Sequence, residues 1–219
     1  MPPQTQMIDR RESSVRKLIA ELFDATDKAV KDALQCVKDH DMQLAQTIID
    51  DDAVINALHH SIEGECVAVI ARMQPMAGDL RELLSDIQIA AELERIADYA
   101  CSMVNNIQQM KQPATTEITD AVLELGGSCR TMLGIVRQAY ETRDIQLARD
   151  AAAMDNEVDE GEQDIIKQVF AWQKEHPDDF MISTHALWIT HSMERIGDRV
   201  TNIAERVIYI ATSKTEKLN

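Results

Sequence analysis

Glu94-Arg95-Ile96-Ala97-Asp98 recurs a hundred residues later as Glu194-Arg195-Ile196-Gly197-Asp198. A second match precedes it: Asp41-Met42-Gln43-Leu44-Ala45 returns as Asp144-Ile145-Gln146-Leu147-Ala148, at an offset of 103. Pro75 and Pro177 fall between the two matches, at an offset of 102. Matches in the same order, with a proline between them in each half, mark a duplicated unit. The drift in offset places the lost residues mostly near turns. With the join near Pro113, the chain divides into an expected first domain, 1–112, and a second, 113–219.

Each unit has the spacing of three helices. Apolar residues recur at three- and four-residue steps, as in Leu80, Leu83, Leu84, Ile87 and Ala91, or Val158, Ile165, Val169 and Trp172. Strict apolar/polar alternation is missing, and after Pro2-Pro3 the prolines are confined to Pro75, Pro113 and Pro177. The spacing predicts helices over 7–38, 41–73, 79–111, 115–142, 144–174 and 179–213. Asp41 and Asp144 stand where N-caps are wanted, and Asp79 with Glu82 has capping-box spacing. The predicted fold is all-α: two tandem, similar three-helix bundles, with a 30-residue helix running about 45 Å.

Composition narrows function. The 219 residues carry a formal net charge of −16, which repels nucleic acid and anionic membrane and favours cations and basic protein surfaces. No stretch approaches the roughly 20 uninterrupted apolar residues of a membrane span. Met1-Pro2-Pro3-Gln4 has no signal-peptide character, so a cytoplasmic location is expected. Neither common glycine-rich phosphate loop is present. Cys36, Cys66, Cys101 and Cys129 form no CxxC pair and are expected to be reduced, buried thiols.

The repeated acids are the candidate site. Glu94 with Asp98 and Glu194 with Asp198 are i, i+4 pairs, so each shares a helix face and repels. On a helical wheel Glu194, Asp198 and Glu205 lie off the stripe of Met193, Ile196, Gly197, Val200 and Ile203, which predicts a flank or outer face. Asp155 and Asp159 form another i, i+4 pair, matched in the first unit by Asp52 and Asn56. If the middle and last helices pack side by side, Asp155, Asp159, Glu194, Asp198 and Glu205 converge. Oxygen-only ligands suit hard cations such as Mg²⁺, Mn²⁺ or Ca²⁺, and carboxylate-bridged iron. His191 stands near this line as an extra ligand. His59-His60 reads as a polar surface pair, because adjacent helical positions do not share a face. Against a metal stands the plainer reading of solvated acids, with Arg95 and Arg195 as i, i+3 partners.

With these residues in view, the sequence resembles the PhoU family. The two E-R-I-x-D segments carry the likeness, the second continuing Arg199-Val200-Thr201-Asn202-Ile203-Ala204-Glu205, together with Asp79-Leu80-Arg81. The resemblance implies two three-helix bundles side by side in a cytoplasmic, non-enzymatic negative regulator of phosphate uptake and signalling. It implies partners, a sensor histidine kinase and the ATPase of the phosphate ABC transporter, with a homodimer as a further expectation. It also implies metal ions (iron, magnesium, manganese or zinc) on E(D)-x-x-x-D motifs. Carried over, these are Asp155 to Asp159, Glu194 to Asp198 with Glu205, and Glu94 to Asp98. Asp52 to Asn56 departs at its second position, and Ser102 and Asn105 replace the Asn202 and Glu205 of the second unit. Two other readings compete: a carboxylate-bridged metalloenzyme, weakened because no E-x-x-H occurs, and a metal-free helical adaptor.

Overall fold

The computed structural model describes residues 4–218, with side chains from residue 13 onward. Met1 to Pro3 and Asn219, at the ends of the two expected domains, lie outside the described residues. Three helices make the first unit: α1 (Gln4–Asp39), α2 (Met42–Met73) and α3 (Gly78–Gln109). The second unit has α4 (Thr116–Thr142), α5 (Ile145–Ala153), α6 (Asp155–Glu175) and α7 (Phe180–Thr212), with a 3₁₀ turn at Pro177–Asp179. No strand occurs among the described residues.

Local signals explain most boundaries. The Asp41 carboxylate accepts from the N–H groups of Gln43 (2.9 Å) and Leu44 (3.0 Å). Asp144 does the same for Gln146 (2.8 Å) and Leu147 (3.1 Å). Each thereby satisfies first-turn donors. Two expectations need correction. α3 starts at Gly78, one residue before Asp79, with Ala77 as an N-cap that makes no side-chain bond. Asp79 is therefore a first-turn acid and not the head of a capping box. The helix expected over 144–174 is broken at Met154, whose N–H reaches back only to Ala151 and Ala152. The tightened turn starts α6 afresh at Asp155, with Asp155 and Glu157 in a first turn that favours negative charge.

The two units share one core. α3 packs along α7 and α1 along α4, while α2 and the α5–α6 rod lie outside. Buried residues from both units, among them Phe23, Leu93, Met103, Met132, Met193 and Ile203, form a single cluster. At the α1–α4 crossing a Cβ on Gly126 would stand 2.3 Å from a Leu34 methyl carbon, so glycine permits the approach. Arg130 grips Asp27 through two 2.8 Å bonds across the same crossing. Near one end, the Tyr140 hydroxyl donates to Asp86 at 2.8 Å, linking α4 to α3 in the core. Burial pushes the Asp86 carboxyl up to about 7, against the opposing pull of the Tyr140 bond.

Candidate functional site

The acids of the second unit meet where α6 runs against α7. Asp155 is 4% exposed and Glu194 8%, so both are buried. The flank placement expected for Glu194 is therefore corrected. Its position at the edge of the apolar stripe is covered by α6, which the wheel of a single helix cannot show. Gly197 makes room for this packing: a Cβ there would stand 2.6 Å from Asp155 Oδ1 and 3.3 Å from a Val158 methyl carbon. Asp159 is exposed and Asp198 half-buried. Burial, then repulsion from Glu194 and Asp159, raises the Asp198 pKa against the attraction of Arg195 and Arg199. Burial and the charges of Asp155 and Glu194 likewise push the Cys129 thiol up to about 12, so it is inert.

Glu205 is engaged elsewhere. It accepts the Leu218 N–H at 3.0 Å and lies 3.7 Å from the Arg206 guanidinium. It lines a groove between α3 and α7 with Glu92, Arg95, Asn202 and Arg206. The structure thus brings Asp155, Asp159, Glu194 and Asp198 into one neighbourhood and ties Glu205 to another.

In place of Glu205, the geometry adds Glu162 and His191. His191 Nδ1 lies 3.2 Å from Glu162 Oε1 and 3.5 Å from Glu194 Oε2. Donor atoms of all three residues lie within 4.8 Å of one another. Ligands held about 2.1 Å from one tetrahedral ion stand about 3.4 Å apart, so the spacing fits an ion. An imidazole nitrogen among carboxylates suits zinc, iron or manganese better than magnesium or calcium. A cation is already close: Arg195 contacts both Glu194 oxygens and pairs with Asp198 at 2.9 Å. A metal taking up Glu194 would compete with this guanidinium.

The first unit repeats the layout with other residues. Asp52 is half-buried, its Oδ2 accepting from Asn56 at 2.8 Å. Its Oδ1 is buried and has no hydrogen-bond partner among the described residues. Burial, then the charges of Asp98 and Asp52, raises the Glu94 pKa, with His59 and Arg95 pulling the other way. Burial and Asp52 raise that of Asp98. Among the described residues neither Glu94 nor Asp98 forms an ion pair, because Arg95 turns to Glu92 at 3.2 Å.

Glu162 was missed by reading the acids only as i, i+4 pairs. One more step finds it: Asp155, Asp159, Glu162 matches Asp52, Asn56, His59 at the constant offset of 103. The same register takes His59 out of the surface-pair reading, for it is half-buried and acts on Glu94. Each unit therefore sets one histidine beside its acids, from α2 in the first and from α7 in the second.

A duplicated three-helix scaffold with an acidic seam in each copy is the class of protein that fold and site define. The PhoU domain model matches residues 19–107 and 122–207, and the chain belongs to the PhoU family. It is 30% identical to the phosphate-specific transport system accessory protein PhoU homolog of Rhizobium meliloti, over 89% of this chain and 82% of that one. The Escherichia coli protein PhoU, named an accessory protein of the same system, is 30% identical over 90% of this chain and 81% of its own. The crystal structure of PhoU from Pseudomonas aeruginosa superposes with a TM-score of 0.89 at 30% identity, covering 94% of this chain and 99% of that one. The Rhizobium meliloti and Escherichia coli relatives are named as accessory proteins of the phosphate-specific transport system. No helix among the described residues is long and apolar enough to cross a membrane.

Proposed function

We propose that this protein is a negative regulator of phosphate uptake and phosphate signalling that acts by docking, with a metal ion on the acidic seam of its second unit. The observation that carries the regulatory part is family membership, with relatives named as accessory proteins of the phosphate-specific transport system. The proposed partners are the ATPase of the phosphate ABC transporter and a sensor histidine kinase. The proposed setting is the cytoplasm, with a homodimer as the expected assembly. A regulator of this kind works only by binding two states of its partner with different affinity.

The metal part is supported by the fit of Glu162, His191 and Glu194, with Asp159 and Asp198 beside them. Zinc, iron or manganese suits this set better than magnesium. Such an ion supplies positive charge to a seam whose acids otherwise repel one another. Glu194, held by burial, would supply one ligand to such an ion, and Glu162 and His191 the others, with Arg195 paired to Asp198 beside them. In the first unit, Asp52, Glu94, Asp98 and His59 form the poorer second seam.

A second reading is favoured by Arg195 itself. It already neutralises Glu194 and Asp198, which suffices for a metal-free adaptor. Affinity for the purified kinase and ATPase, measured with and without chelator, separates the two. Weaker binding after metal removal is expected; unchanged affinity selects the adaptor, and no binding to either partner defeats the docking reading.

A further inference from the structure

Next to the acidic seam, α6 and α7 enclose a groove of about 400 Å³ lined by Glu162, Ile166, Phe170, Thr184, Leu187, Trp188 and His191. Its apolar walls face solvent. Phe170 is 54% exposed and Trp188 56%, and Phe180 and Met181 at the start of α7 are exposed as well. Thr184, Trp188 and His191 follow one another at helical steps along α7, opposite Glu162, Ile166 and Phe170 on α6. The groove therefore runs about 10 Å along the helices, from an aromatic mouth to the Glu162–His191 contact. Large exposed aromatics set together mark an interaction surface, since single exposed apolar residues need no explanation but a contiguous set does.

The charge around the groove selects the occupant. Between residues 156 and 191 eight Asp and Glu are at least partly exposed, against two Lys, and Lys167 is tied to Asp164 at 2.7 Å. Glu162 closes one end of the groove, and Asp178 and Asp179 stand beside Phe180 in the turn before α7. A second copy of this chain would bring its own charge of −16 against that rim, as would an anionic lipid surface. A basic partner meets the rim with opposite charge, and a helix with one apolar face fits a cleft between two helices.

We propose that the α6–α7 groove is a docking site for a basic amphipathic helix of a partner protein, its apolar face on Phe170 and Trp188 and its lysines or arginines toward Asp178 and Asp179. The first unit lacks the aromatic residues of this surface. At the same register Val67 stands for Phe170, Gln88 for Trp188 and Arg81 for Met181, so the surface belongs to one half of the molecule. The groove extends the docking role proposed above. Its test uses neither kinase nor ATPase, so either can fail without the other.

The probe is a synthetic helix of about 18 residues, leucine and lysine in amphipathic order, titrated calorimetrically into the full chain. A leucine–glutamate helix of the same pattern is the charge control. Binding of the lysine helix alone is expected. Phe170→Ala/Trp188→Ala should weaken it at least about tenfold, and Asp178→Asn/Asp179→Asn about threefold. Val54→Ala/Val67→Ala, which trims exposed apolar side chains elsewhere, should leave it unchanged. All these side chains are at least partly exposed, and circular dichroism checks that each variant keeps its helices. Equal affinity for wild type and Phe170→Ala/Trp188→Ala would reduce binding to charge adsorption and overturn the proposal. So would absence of binding, or a wild-type dimer by light scattering that the same double variant dissociates.

Discussion

The two halves of the molecule share a scaffold and differ in what they place on it. Where α2 meets α3, the first unit sets Asp52, Asn56, His59, Glu94 and Asp98; where α6 meets α7, the second sets Asp155, Asp159, Glu162, Glu194 and Asp198 with His191. In the second unit an amide and a histidine have become acids, an alanine has become His191, and Ala97 has become Gly197. That last change admits the Asp155 carboxylate against α7. The arginines part ways as well: Arg195 clamps Glu194 and Asp198, whereas Arg95 leaves its seam for Glu92. Duplication fixed the helices, and a few side chains then made one seam deep, its acids paired with Arg195, and left the other shallower, with Glu94 and Asp98 in no ion pair among the described residues.

The largest expected effect breaks the comparison at the acids. Glu194→Ala/Asp198→Ala should abolish stoichiometric metal in the gently purified protein, while Glu94→Ala/Asp98→Ala should leave most of it. Elemental analysis of both variants beside wild type decides this. Equal losses would make the two seams equivalent.

Asp86 has no acidic counterpart, since Ala186 stands at its register in the second unit. Its folded pKa of about 7 lies above the ordinary value of 3.8. Between these values the folded protein holds a proton that the unfolded chain has released. Stability should therefore fall as pH rises from about 4 to about 7, by up to roughly 4 kcal/mol for the full shift, and level off above that. Asp86→Asn should flatten this slope in urea melts across the range, and an unchanged slope would assign it to other groups.

Gly197→Ala should cost about 1–3 kcal/mol, because a methyl group there overlaps Asp155 Oδ1. The reciprocal Ala97→Gly should cost only about 1 kcal/mol, the helix-propensity difference. Chemical denaturation measures both, and equal costs would mean that Gly197 is not what seats Asp155. The smallest effects sharpen the likeness of the halves. Asp41→Ala and Asp144→Ala should each cost about 1 kcal/mol, and by similar amounts, since both carboxylates cap two N–H groups.

Much of this was legible in the sequence, and the exceptions share a cause. Apolar spacing, rare prolines and the internal matches suffice for the helices, because each signal acts within one helix. The break at Met154, the seating of Asp155 on Gly197 and the burial of Glu194 arise between helices, where a single wheel is blind. Glu162 and His59 were within reach, since the offset of 103 that pairs Asp52 with Asp155 also pairs them. Glu205 shares a wheel line with Asp198 but lies seven residues further along α7, where the Leu218 N–H and Arg206 take it. Asp86 carried no signal, because an aspartate one turn after Glu82 looks like one more solvated acid until Tyr140 arrives from α4.

The central claim is that the α6–α7 seam holds a metal ion. An anomalous difference map from crystals soaked in manganese or zinc tests it most directly. The account predicts a peak within coordinating distance of Glu194 together with Glu162 or His191, and a weaker one or none at Glu94 and Asp98. A map with no peak on the α6–α7 seam, and Arg195 still clamped on Glu194, would contradict it.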